Sequence, residues 1–523
     1  MTVTQYRSAA PAGSDGFAQL VRAEWTKFRT VRGWMAGMIL AGLLTVGVGL
    51  LSHGECGSQA GPSAPVVTGG PACSDPLGPG GEAVTDGLYF VHRSLGLDGS
   101  ITVRVTSLTG SYSPAGASAQ DLKQGVQPWS KAGIIIKSSD IAGSAYAAMM
   151  VTGSHGVRMQ WDYTGDAAGL GGAVSAASPR WLRLSRSGDT ITGYDSLDGT
   201  HWSVVGTATL TGLPATVPAG PFAASPDYTV VNSRSAAGGS GTGGPSQATA
   251  AFDRITLQGA GPDRTWTGTA VGGPPGGPYP VLGYRQSGGG LVVSGSGDIA
   301  PVPPSGEGSL ANTLIGAFAG LIAMVVVAAM FITAEYRRGL IGVTLTASPR
   351  RGRILAAKAL VVGLAAFVVG LPAAWAAPLI EDPLARSRGI FIYPVPVLTE
   401  VRVIGGTAAL LAVAAVLALA LGALLRRSAI AVTAVIAVIV LPYFFAVPLA
   451  LLPAGAADWL LRVTPAAGFA IQQPYPAYQQ VTFDYTPGNG YYPLAPWAGF
   501  AVLCAWAALA LGLAVYLLRR RDA

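Results

Sequence analysis

The chain has 523 residues, enough for several soluble domains, but half of them are apolar, the mean hydropathy is +0.45 and only 11% are charged. A soluble domain carries about 25% charged residues, so this balance excludes an ordinary water-soluble globule and also a chain kept disordered by its own charge. Three cysteines exclude a disulfide-dense secreted scaffold, and the formal charge of +7 does not build a nucleic-acid surface, because the basic residues gather at the ends of apolar runs, where they orient helices in a bilayer.

The first patterned segment is amphipathic. Phe17, Leu20, Val21, Trp25, Phe28 and Val31 recur on one helical face, with Arg22, Thr26 and Arg29 opposite. The spacing predicts an interfacial helix in the headgroup layer, in contact with membrane lipid, with Trp25 suited to that depth. Glu24 breaks the pattern by falling inside the apolar stripe. Two readings stand side by side: a glutamate that snorkels or pairs with an Arg or Lys of its own helix, or one in contact with a basic partner.

A bilayer span takes about 20 predominantly apolar residues. Charge-free windows of that length run from Gly33 to Ser52, Leu310 to Thr333, Ala359 to Ile380, Val403 to Leu425, Ser428 to Leu452 and Trp497 to Leu518. Pro372, Pro378, Pro442 and Pro448 are expected to kink the third and fifth spans. A secretory signal at the first span is disfavoured by the long charged segment before it. One set of flanks collects Arg7, Arg22, Lys27, Arg29 and Arg32, then Arg337, Arg338, Arg350, Arg351, Arg353 and Lys358, then Arg426 and Arg427, and finally Arg519, Arg520 and Arg521. The other set holds Arg386, Arg388, Arg402 and Arg462. The asymmetry predicts both termini in the cytoplasm, the 381–402 arginines being a mild contradiction.

Residues 1–52 thus hold the interfacial helix and span one, and 53–81 form an external segment. There Cys56 and Cys73 are expected to form a disulfide worth about 3 kcal/mol. Cys504, inside span six, is expected to be simply a small apolar residue. Alternating runs at 100–108, 132–138, 146–152, 157–163, 180–186, 190–195, 201–208 and 251–257 predict an extracellular β-sandwich over 82–258. The Gly-rich stretch 228–247 reads as a flexible loop, and 259–308 as a Gly/Pro linker down to the membrane. Asp195 and Asp198 are open to two readings, a calcium or acid/base pair and a turn, the segment Ser196 to Trp202 resembling an Asp-box hairpin. The four histidines are scattered, which gives no metal site.

The series Pro128-Trp129-Ser130-Lys131-Ala132-Gly133-Ile134-Ile135-Ile136, Tyr146 to Val151, Trp181-Leu182-Arg183-Leu184, Asp198 to Trp202 and Phe252-Asp253-Arg254-Ile255 resembles concanavalin-like, LamG-like jelly-roll modules of bacterial surface proteins. That resemblance implies a carbohydrate or cell-envelope ligand, with no ligand residue transferable.

Residues 309–523 carry spans two to six, a cytoplasmic loop at 334–358 and an external loop at 453–495. In the latter, Ala454 to Phe469 is open to short re-entrant helices, and the Tyr-rich remainder to an amphipathic-substrate lining or to interfacial anchoring. In the cytoplasmic loop, Glu335-Tyr336-Arg337-Arg338-Gly339, Thr344-Leu345, Pro349-Arg350-Arg351 and Ala357-Lys358 resemble the first cytoplasmic loop of ABC-2 type exporter permeases. Ala23-Glu24-Trp25-Thr26-Lys27 resembles their N-terminal interfacial helix. The implied fold is a polytopic α-helical membrane protein of six transmembrane helices, ABC-2 exporter-like, with an inserted all-β jelly-roll sandwich ectodomain, in the bacterial plasma membrane. The implied role of Glu335, Tyr336, Arg337, Gly339, Thr344, Pro349, Arg351 and Lys358 is coupling to a separate ABC ATPase subunit, with a second permease copy completing a homo- or heterodimer. Gly is nowhere followed by Lys, so a phosphate-binding loop is impossible here; the chain is expected to have no catalytic residues and no cofactor, and not to be an enzyme by itself. The alternative is a membrane-anchored carbohydrate-binding or adhesion protein, or a glycosidase on a membrane base if paired carboxylates were present.

Overall fold

The computed structural model describes residues 16–51, 75–114, 121–235, 238–261, 265–273, 279–302, 308–339, 351–388, 390–446, 452–481, 485 and 490–521. Cys56, Cys73, Thr344, Pro349 and Pro448 lie outside them.

The helical part opens with α1 (Phe17–Thr30) and α2 (Arg32–Gly49), and continues after the β region with α3 (Ala317–Arg337), α4 (Arg351–Ser387) and α5 (Val397–Leu425). Then come α6 (Ser428–Val435), α7 (Leu441–Ala446), α8 (Ala454–Val463) and α9 (Pro496–Arg521). Six helical stretches are long and apolar enough to cross a membrane, α6 and α7 counting as one. α3 and α5 are 61% buried over their most apolar windows, whereas α2 and α9 are 28% buried, so α3 and α5 form the centre and α2 and α9 the flanks. Small residues allow the closest approach: a Cβ on Gly316 would strike the Thr45 carbonyl and one on Gly320 the Thr45 hydroxyl, so α2 and α3 meet nearly backbone to backbone.

Proline acts differently in the two spans. α4 runs unbroken through Pro372, Pro378 and Pro383, well beyond the hydropathy window at both ends. In the fifth span the turn Ile436–Val440 widens to π geometry just before Leu441 and Pro442. The Pro442 ring would press on the carbonyl four residues back, and that carbonyl lies inside the widened turn.

The strands are β1 (Val84–Asp86), β2 (Leu88–Tyr112), β3 (Lys123–Gln124), β4 (Lys131–Lys137), β5 (Tyr146–Thr152), β6 (Val157–Trp161), β7 (Gly165–Ala168), β8 (Arg180–Ser187) and β9 (Thr190–Ser196). They continue with β10 (Ser203–Thr209), β11 (Val217–Ala224), β12 (Tyr228–Ser235), β13 (Gly238–Gly244), β14 (Ser246–Ala260), β15 (Thr267–Val271), β16 (Gly283–Ser287), β17 (Gly290–Gly295) and β18 (Ile299–Pro301). The main sheet runs β10-β9-β8-β2-β11-β4-β5-β6-β7 and curls over itself, as Gly193 of β9 shows by lying against the sulfurs of Met149 and Met159 on β5 and β6. The unbroken apolar runs of β4 and β5 have a reason: Ile134, Ile136, Ala147 and Met149 face this inner core, while Ile135, Tyr146, Ala148 and Met150 face a second one.

That second core corrects two readings. The segment 259–308 is no plain linker: β15 pairs with β2, β16 and β17 extend from β14, and Val271 and Ile299 close the second core with Val84 and Leu88. The segment 228–247 is a hairpin of β12 and β13, not a loop. Buried charges pin the same layer. Lys131 Nζ donates to Asp298 Oδ1 and the Ile299 carbonyl (both 2.6 Å), and Lys137 Nζ to Asp86 Oδ2 (2.7 Å), so both ends of β4 are tied to the β1–β18 ladder.

The β domain touches the bundle through polar contacts. Tyr393 Oη accepts from the Asp75 amide (2.7 Å), and Gln480 Nε2 donates to the Tyr163 carbonyl (3.0 Å). Burial raises the Asp75 carboxyl above its ordinary range, partly offset by the Tyr393 hydroxyl.

Candidate functional site

Glu24 sits on α1 among apolar neighbours, and its burial requires a counter-charge. Two lysines supply it. Lys27, one turn on, donates to Glu24 Oε1 at 2.8 Å; Lys358 of α4 donates to Glu24 Oε2 at 2.6 Å. Lys358 also donates to Glu335 Oε1 of α3 at 2.6 Å, and Lys27 approaches that oxygen at 3.5 Å. The two readings of Glu24 are therefore both realised at once. The result is a neutral quartet of two carboxylates and two ammoniums that joins three helices.

Rings enclose it. Lys358, 0% exposed, lies 4.9 Å from the Phe331 ring centroid, and Phe331 meets Phe28 edge-on at 5.4 Å. Trp25 stacks on Phe28 from outside and is 38% exposed. In such surroundings charge attraction is less screened than at a surface, so the quartet resists separation. For Lys27, partial burial pulls the ammonium down, but Glu24 and then Glu335 outweigh it and hold the group above its ordinary value.

Of the other predicted residues, the described ones, Tyr336, Arg337, Gly339 and Arg351, lie near this centre without joining it. Tyr336 packs under the Arg426 guanidinium, 5.2 Å from its ring. Arg426 has φ 58°, a left-handed conformation that closes α5 and turns the chain sharply into α6. Arg337 is exposed at the end of α3, and Gly339, φ +67°, follows the helix C-cap, its amide donating to the Tyr336 carbonyl at 3.2 Å. Arg351 turns away from the quartet and donates to the Leu518 carbonyl at 2.7 Å, tying the start of α4 to the last turn of α9. All these contacts lie at one end of the bundle, its basic end.

Sequence reasoning missed Phe28, Phe331 and Arg426 as parts of the site. Phe28 is four residues after Glu24 and Phe331 four before Glu335, so each shares a helical face with its carboxylate, a signal present in the spacing.

In the β domain, Asp195 and Asp198 do different work. Asp195 Oδ2 accepts from the half-buried Leu170 amide at 2.6 Å, whereas Asp198 Oδ1 accepts from the Thr200 and His201 amides at 2.7 and 2.8 Å, which is a turn.

No protein-family model matches the chain, and no curated protein matches it. Several solved structures match parts of it. A functionally unknown protein from Saccharomyces cerevisiae is 18% identical over 32% of this chain and 74% of that one, at a TM-score of 0.20. A scytalido-glutamic peptidase with a transition-state analogue inhibitor is 8% identical over 42% of this chain and 98% of that one, at 0.26. At such scores the likenesses carry no argument about fold or activity.

Proposed function

We propose that this chain is the membrane-spanning permease subunit of an ATP-driven exporter of the ABC-2 type. It works with a separate ATPase subunit and a second permease copy, and moves a hydrophobic or amphipathic solute across the bacterial plasma membrane. In this reading the basic end of the bundle faces the cytoplasm and the β domain is extracellular. The observation that carries it is the quartet Glu24, Lys27, Glu335 and Lys358. Residues 340–350 leave α3 just past Glu335 and enter α4 just before Lys358, so a partner pushing on that loop acts on α1, α3 and α4 as one body. A simple membrane tether has no use for such a junction.

The test is co-expression with a nucleotide-binding chain encoded beside it, followed by purification in mild detergents and ATP hydrolysis in proteoliposomes. An ATPase should co-purify, and Arg337→Glu, at an exposed position, should lower coupled hydrolysis while leaving membrane insertion intact. Isolation of a monomer without ATPase in every detergent would overturn the proposal. A second reading, a membrane-anchored carbohydrate-binding or adhesion protein, is favoured by a polar groove in the β domain between Trp181 and Arg254. Glycan binding by a chain that never recruits an ATPase would select it.

A further inference from the structure

β14 carries Phe252-Asp253-Arg254-Ile255, and its ladder with β2 is interrupted there. Asp253 pairs with Arg104 and Thr256 with Thr102, so Arg254 and Ile255 together face the single residue Val103. This is a β-bulge, and Arg254 takes φ 51°, a conformation that favours glycine. An arginine held in that place is a departure from backbone preference, and such departures concentrate at ligand sites. The bulge delivers Arg254 to the lining of a groove of about 430 Å³.

The groove is built from rigid parts. Trp202 Nε1 donates to the Gly199 carbonyl (3.1 Å), and the Arg183 guanidinium lies 4.0 Å from the Trp202 ring. Arg183 Nε donates to Thr102 Oγ1 at 3.1 Å. Gly199, φ +77°, lies against Trp181, where a Cβ would come within 2.7 Å of the ring. Among the described residues no acidic side chain lines the groove. The neighbouring Asp253 has both oxygens engaged by Arg104, at 2.7 and 2.6 Å. Arg183 and Arg254 therefore line a cavity with Ser100, Thr102, Thr256 and Gln258, whose side chains carry hydroxyls and an amide.

Guanidinium forks match carboxylate and phosphate oxygens, hydroxyls and amides match sugar hydroxyls, and indole walls match the apolar faces of sugar rings. We infer that this groove binds an anionic saccharide, a sugar or polyol segment bearing carboxylate or phosphate groups, with Arg183 and Arg254 on the anion. Arg254 and Thr256 are exposed, so the groove opens to solvent. Binding is independent of the transport reading and survives its failure.

The experiment uses the full chain in nanodiscs of uncharged lipid, titrated calorimetrically with an oligogalacturonate, a glycerol-phosphate oligomer and a neutral cello-oligosaccharide. At least one anionic oligomer should bind, the neutral one about tenfold more weakly or not at all, and added salt should weaken binding. Preference between the two anionic arms identifies carboxylate or phosphate as the natural group. Arg254→Gly should lower affinity by about tenfold, as for loss of one charge-assisted hydrogen bond, while thermal stability is kept or raised because glycine suits φ 51°. Arg183→Gln should weaken the same ligand. Equal binding of the neutral oligomer, no binding of either anion, or full affinity in both variants would overturn the inference.

Discussion

Replacing Lys358 with methionine tests the quartet directly. The wild-type lysine gives 2.6 Å contacts to both Glu24 and Glu335 and has no exposed surface, so its loss leaves two carboxylates sharing only Lys27. Removing one partner of a buried ion pair costs about 3–5 kcal/mol. Lys27 remains at 2.8 and 3.5 Å but is 44% exposed, so it compensates in part, which places the expected loss near the lower figure, about 3 kcal/mol. α1 has no other ionic tie to α4 among the described residues, so the loss should appear as detachment of α1. At about 1.4 kcal/mol per decade, amide exchange across Phe17–Thr30 should accelerate about a hundredfold, read by mass spectrometry on the full chain in nanodiscs. The triple variant Glu24→Gln, Glu335→Gln, Lys358→Met removes both stranded carboxylates, leaves only the 44% exposed Lys27 for water to solvate, and should recover part of the protection, because replacing buried ions by neutral groups is often nearly neutral in stability. Wild-type exchange in Lys358→Met would refute the reasoning, as would equal exchange in the single and triple variants.

Gly320→Leu should push α2 off α3, since even a Cβ there meets the Thr45 hydroxyl; a loss of about 1–3 kcal/mol should lower the melting temperature in detergent, and an unchanged value would count against the close packing. Gln480→Ala combined with Tyr393→Phe should loosen the β domain from the bundle, removing hydrogen bonds worth about 1 kcal/mol each. Spin-label distances between the two parts should broaden, and an unaltered distribution would show that other contacts hold them. The His201 imidazole is held above its ordinary value of 6.5 by the Asp198 carboxylate, 2.6 Å away. The sign follows from the raised value: the contact contributes fully below 6.5 and is lost as pH rises through the folded value. The protection of hairpin amides 196–202, taken relative to the unstructured exchange rate at each pH, should therefore fall above that window in wild type and show no such step in His201→Ala.

The spans were legible because bilayer-spanning helices announce themselves as charge-free windows, but those windows report hydrocarbon rather than helix. α4 consequently begins at Arg351 and ends at Ser387, beyond the Ala359 to Ile380 window. Alternation marks β8 and β9 closely and short apolar runs mark β4 and β5, yet only 100–108 of β2 stands out, because the rest of this strand from Leu88 is held by β11 and β15, partners remote in sequence. The same remoteness hid β15 to β18 inside a composition that reads as linker: their Val271 and Ile299 make sense only against β4 and β5. At the site, the order Glu335, Tyr336, Gly339, Lys358 drew notice by resemblance, and the periodicity of α1 marked Glu24 as anomalous. That Glu24 and Lys358 touch follows from the packing of α1 on α4, which no local pattern encodes.

The two leads that join the β domain to the helices end in β1 and β18, and these are zipped to each other from Val84 opposite Pro301 to Asp86 opposite Ile299. A module spliced between α2 and α3 through such a clasp arrives and departs at one point. With its two ends fastened to each other, the module is anchored to the bundle at Tyr393 and Gln480 as well, so it is held as a tripod rather than hung from its two chain connections.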